Sequence, residues 1–187
     1  MRRSVSTALL LLCCSANAQP PKAEPKLERV TYRVTGLFSR EREKDLRAGF
    51  EALAPDFKLI AVNFDEAELT VEFAPAKHWP GQKPERVAEL VNDKVRGATN
   101  HTFGIKPRRD IARDKLQLVT IPAAGCDCKG CNLAAYEAVA ALDGVYWATA
   151  SFKEGKVTAL VDPAKVDRAK LEDALRKKGV DLGKPKK

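Results

Sequence analysis

Gly125-Cys126-Asp127-Cys128-Lys129-Gly130-Cys131 joins a strand-like run, residues 116–121, to a helix-like run, residues 132–142. The first run is rich in Val, Ile, Leu and Thr, and the second spaces its apolar residues for one helix face. A strand-to-helix turn carrying thiols can hold a soft metal ion or exchange disulfides. Outward from this turn, residues 145–152 and 156–161 read as a hairpin about Glu154-Gly155. Residues 166–177 then read as a helix with Val166, Leu171 and Leu175 inward, its start marked by Asp162-Pro163. Residues 180–182 offer a short last strand.

The same order runs through the N-terminal half. Val30, Tyr32 and Val34 alternate with polar residues in 27–35, and Gly36 ends the run. Residues 40–53 bring Leu46, Phe50 and Leu53 to one helix face. Strands follow at 57–64 and 68–73 about the acidic turn Asp65-Glu66, then a helix at 85–95 and a strand at 99–105. Shifting one half by 89 positions sets Gly36 on Gly125, Phe50 on Val139 and Leu53 on Leu142. The reading is an α+β chain of two tandem β-α-β-β-α-β copies, residues 27–108 and 115–183. Each copy is expected to be ferredoxin-like, with two helices on one face of a four-stranded antiparallel sheet.

Composition sets the class. Hydrophobic residues are 44% and charged residues 31% of the 187, a globular balance. The formal net charge is +8, but Lys and Arg alternate with Asp and Glu and no aromatics interleave them. This favours solvated faces over a nucleic-acid groove. Residues 1–18 read as a signal peptide: Met1-Arg2-Arg3, an apolar run to Cys14, and Ala16-Asn17-Ala18. That apolar run is too short to span a bilayer. Cleavage after Ala18 and delivery to a periplasm or beyond are expected. Of five cysteines, Cys126, Cys128 and Cys131 then remain, an odd number for an oxidising compartment.

At Gly125 to Cys131 the second copy resembles the heavy-metal-associated domain. This is the fold of periplasmic mercury-binding proteins, copper chaperones and the N-terminal modules of metal-transporting ATPases. That family's loop reads Gly-Met-x-Cys-x-x-Cys; Gly125, Asp127, Cys128 and Cys131 follow it, and Leu142-Asp143-Gly144-Val145 is similar to its helix-to-strand junction. The resemblance implies a metal site at Cys128 and Cys131. It also implies an acceptor that bears thiols, such as a metal-transporting membrane protein. Cys126 stands where the family has Met, and is either a packed apolar residue or a third thiolate. Asp127 is either a helix cap or a further ligand.

The chemistry of the turn agrees with the resemblance. Soft thiolates select Cu(I), Hg(II), Zn(II) or Cd(II) over hard cations. The helix N-terminus and Lys129 are expected to favour the thiolate. Two sulfurs suit near-linear Cu(I) or Hg(II), whereas structural zinc takes four ligands. In the first copy Leu37, Ser39 and Arg42 fall at Cys126, Cys128 and Cys131, so no thiol site is expected there. Elsewhere, His78 and Trp79 read as surface-loop residues and His101 as a partly buried strand histidine. Asp65, Glu66 and Glu68 read as turn carboxylates. No Ser-His-Asp set, phosphate loop or dinucleotide fingerprint is visible. Three functions stay open: a soft-metal carrier, a thiol–disulfide module, and a scaffold whose cysteines form a structural disulfide.

Overall fold

The computed structural model describes residues 26–108, 111–124 and 128–183. Strand β1 (Glu28–Thr35) is followed by α1 (Glu43–Glu51), β2 (Phe57–Asn63), β3 (Glu68–Phe73), a short α2 (Pro75–His78), α3 (Pro84–Ala98) and β4 (Gly104–Pro107). The second series is β5 (Gln117–Pro122), α4 (Lys129–Ala140), β6 (Val145–Ser151), β7 (Lys156–Val161) and α5 (Arg168–Lys177). The first four strands form one antiparallel sheet in the order β2-β3-β1-β4, and the other three a second in the order β5-β7-β6. The first order is that of a ferredoxin-like fold. The second is the same order with its last strand reduced.

Alternation explains which face each sheet buries. In β3, Leu69, Val71 and Phe73 are buried while the residues between them are half exposed. They meet Leu46 and Phe50 of α1 and Val87, Val91 and Val95 of α3 in the first core. In the second core Val157, Ala159 and Val161 of β7 meet Val139 of α4 and Leu171 and Leu175 of α5. Burying such side chains is worth about 1.5 to 3 kcal/mol each, and this holds the helices to the sheets. Asp167 caps α5, its side chain accepting from the N–H of Lys170 at 2.8 Å.

Three sequence expectations are corrected. Residues 99–105 form no full strand: α3 runs on to Ala98, and Asn100 and His101 take positive φ (48° and 60°) to close it. The N–H of His101 donates to Arg96 O, and pairing begins only at Gly104. His101 is therefore an exposed turn residue rather than a partly buried strand one. The fourth strand of the second sheet is a single bridge, Asp181 to Ala124. Ala124 N–H points outward to Asp181 O and Ala123 N–H inward to Gly155 O. The next outward donor would belong to Pro122, which has none, and Thr120 O is taken by the Arg168 guanidinium.

The halves interlock. Phe38 is buried in the second core, and Trp147 packs against the first, its indole N–H donating to Phe64 O at 2.8 Å. Buried Arg33 donates to Val145 O and Tyr146 O. Among the described residues no helix is long and apolar enough to cross a membrane.

Candidate metal site

Cys128 and Cys131 sit at the start of α4. Cys128 is its N-cap, in extended backbone (φ −109°, ψ 155°), and its Sγ accepts the N–H of Cys131 at 3.1 Å. A helix leaves its first N–H groups without backbone partners, and here a sulfur takes one of them. The Cα atoms of the two cysteines are 5.2 Å apart and their sulfurs are joined as a disulfide. Cys128 is exposed and Cys131 half-buried, so a thiol or disulfide from solution can reach the pair. Gly130 lies between them, and a Cβ there would only come into ordinary contact with Cys128 Sγ, at 3.9 Å.

Asn132 holds the turn in place. Its amide donates to Cys128 O at 3.1 Å, and its Oδ1 accepts the N–H of Phe152 at 3.0 Å. One side chain thus ties the N-cap of α4 to the end of β6. The entry side is held by Ala123 N–H to Gly155 O and Ala124 N–H to Asp181 O. Val180 and Leu182, flanking that bridge, pack on the second core. In the sequence Asn132 shows only as the first residue of the helix-like run. Its position directly after the last cysteine was the one signal of its task.

The structure brings together Cys128 and Cys131 of the expected ligands. Cys126 and Asp127 lie outside the described residues. Among the described residues no group of three or more His, Cys, Asp or Glu side chains is gathered to hold a metal. Cys128 and Cys131 supply two sulfurs.

The equivalent turn of the first half holds other side chains. Ser39 is in extended backbone (φ −150°, ψ 157°) ahead of a short 3-10 turn, Arg40–Arg42, as Cys128 is ahead of α4. Leu37 is buried in the first core, in keeping with its expected apolar role. Arg42, at the place of Cys131, stacks over Phe38 and Phe103, at 5.5 Å and 5.7 Å to the ring centroids, and pairs with Asp45. No thiol stands there.

The other candidates have structural work. His78 stacks on Phe57 with centroids 5.0 Å apart, and Trp79 packs on the first core, so the loop around them is pinned down. Asp65, Glu66 and Glu68 pair with Arg40, Arg113 and Arg108, as turn and strand-end carboxylates do.

No family model and no curated protein matches the chain. Solved structures similar to it include the CopZ metallochaperone, at 27% identity over 36% of this chain and 100% of that one, with a TM-score of 0.35. The N-terminal soluble domains of Bacillus subtilis CopA align over 85% of this chain and 94% of theirs, at 16% identity and a TM-score of 0.34. The water-soluble region of the P-type ATPase CopA from Bacillus subtilis aligns over 84% and 91%, at 14% identity and a TM-score of 0.33.

Proposed function

We propose that the protein is a non-enzymatic, exported carrier of a soft metal ion, Cu(I) before Hg(II), Zn(II) or Cd(II). The ion is held between the sulfurs of Cys128 and Cys131. One observation carries this reading: an exposed N-cap cysteine and a second cysteine one turn on, with Cα atoms 5.2 Å apart, direct both sulfurs to one point at a helix N-terminus. The Cys131 N–H on Cys128 Sγ and the positive end of the helix both favour negative charge on that sulfur. Two thiolates suit an ion content with two ligands, and Cys126 and Asp127, which lie outside the described residues, are the candidates for a further one.

Loading first requires reduction. Two electrons and two protons from an external dithiol open the disulfide, and the dithiol leaves oxidised. Each thiol loses its proton as the ion binds. In transfer, a thiolate of the acceptor adds to the ion before one cysteine sulfur departs and is reprotonated. The acceptor is thiol-bearing, a metal-transporting membrane protein being one such partner. Export rests on the pattern of residues 1–18, which lie outside the described residues.

The disulfide itself favours a second reading, a thiol–disulfide exchange module using the same reachable pair. Anaerobic titration of the reduced protein with Cu(I), Zn(II) and Hg(II), followed by thiolate-to-metal absorption, separates the two. The carrier binds one Cu(I) or Hg(II) tightly and loses it in the Cys128→Ser/Cys131→Ser variant. Catalysed reduction of insulin by the metal-free protein, with no metal held, would favour exchange instead.

A further inference from the structure

A closed ring of contacts joins the two halves one helical turn below the cysteines. Gly36 N–H donates to the Tyr136 hydroxyl at 2.9 Å, and the Phe38 ring lies 6.3 Å from that of Tyr136. Phe38 O accepts the N–H of Ala150 at 3.1 Å. Tyr136 is on α4, about one turn beyond Asn132. Ala150 is on β6, just ahead of Phe152. Asn132 and Phe152 are themselves bonded, and Asn132 holds Cys128 O. Helix α4, whose first turn carries both cysteines, is therefore tied to β6 twice, by Asn132 at the site and by residues 36–38 a turn away.

We propose that Phe38 and Tyr136 are positioning residues for the Cys128–Cys131 pair. With Phe38 docked in the second core, the strand-to-helix turn of the cysteine-free half holds α4 against β6, keeps Asn132 bonded to both Phe152 and Cys128 O, and so fixes the N-cap cysteine relative to Cys131. This rests on the reading of that pair as the functional site, and it gives the first half a task at it. The turn that stands where the cysteine turn stands in the other copy serves as its clamp. Losing the clamp lowers the effective concentration of one thiol at the other. The disulfide then becomes easier to reduce and a shared ion is held less tightly.

The test uses the full chain. The pair is equilibrated with glutathione: the protein disulfide and two glutathione thiols exchange with the protein dithiol and one glutathione disulfide, two electrons passing. Tyr136→Phe removes one hydrogen bond and keeps the ring, and Phe38→Leu keeps an apolar plug without the aromatic contact. Both are measured well below their melting temperatures. Each is expected to shift the equilibrium toward the dithiol by about threefold, the size of one modest hydrogen bond. Cu(I) affinity, read by competition with a chromophoric chelator, is expected to weaken by a like factor. Trp147→Phe, which loosens the interface outside the ring, should lower the melting temperature and leave the equilibrium where it was. An unchanged equilibrium in Tyr136→Phe and Phe38→Leu, or an equal shift in Trp147→Phe, would overturn the proposal. Because the glutathione equilibrium needs no metal, a wild type that ignores Cu(I) would count against the carrier while the positioning role is still measured.

Discussion

Two strand-to-helix turns occupy the same place in the two halves and face opposite fates. The turn after Gly36 closes on itself and on its neighbour: Leu37 goes into the first core, Phe38 into the second, and Arg42 covers both Phe38 and Phe103. The turn before α4 leaves Cys128 exposed and Cys131 half-buried, with Asn132 beneath them as a brace. Ser39 and Cys128 are both extended residues, one ahead of a 3-10 turn and the other ahead of an α-helix. Their side chains set them apart, Phe38 and Arg42 packing one turn and thiols standing at the other. A repeated fold can therefore divide labour, one copy giving rigidity and the other keeping a reachable site.

That division can be broken most forcefully at Gly36. Its φ is +86°, and a Cβ would be driven into the carbonyl oxygen of Thr102. Gly36→Ala is expected to cost about 3 kcal/mol or more, combining backbone strain with the clash. Thermal unfolding followed by circular dichroism reads this, and a melting temperature within a degree or two of wild type would refute the close approach.

Emptying the plug comes next. Phe38→Ala leaves a cavity in a core to which the other half supplied the ring, an expected loss of about 3 kcal/mol. The wild type is expected to unfold in a single calorimetric transition and the variant in two, because the residue removed is one that couples the halves. A variant that still melts in one step, with unchanged enthalpy, would mean the halves are coupled elsewhere.

Alkali gives a gentler probe of the same contrast. Burial, aided by the charge of Glu28, pushes the Tyr32 phenol up to about 12. Burial also raises that of Tyr136, against the opposing bond from Gly36 N–H. Both phenols keep their protons longer in the folded chain than in the unfolded one, where a tyrosine releases at about 10. The stability they contribute is present below pH 10 and is lost as pH rises toward 12. Denaturant midpoints measured across that window should fall. Tyr136→Phe should flatten the fall, and a midpoint rising above pH 10 would contradict it.

Much of this fold was legible in the residues. Alternation gave β1, the turns at Asp65-Glu66 and Glu154-Gly155 gave the strand pairs, helical spacing gave α1, α3 and α5, and Cys-x-x-Cys between a strand and a helix marked the site. The contrast between the two turns was only half legible. The loss of thiols at Ser39 and Arg42 could be read directly, but the destination of Phe38 could not. A phenylalanine just after Gly36 looks like a member of its own core, and only tertiary packing sends it into the other. Trp147 makes the reverse crossing for the same reason. His101 was misplaced because pattern reading gave its segment to a strand, while the backbone needed Asn100 and His101 in left-handed conformation to end α3. The last strand shrank to one bridge because Pro122 has no N–H to offer and Arg168 occupies Thr120 O.

Reduced, full-length protein dialysed without oxygen against Cu(I) in a competing chelator measures most directly what sets the two turns apart. The account predicts one Cu(I) per chain at saturation, none in the Cys128→Ser/Cys131→Ser variant, and no change on Arg42→Ala in the plug. Undiminished binding by the cysteine-free pair variant, or no binding by the wild type, would contradict it.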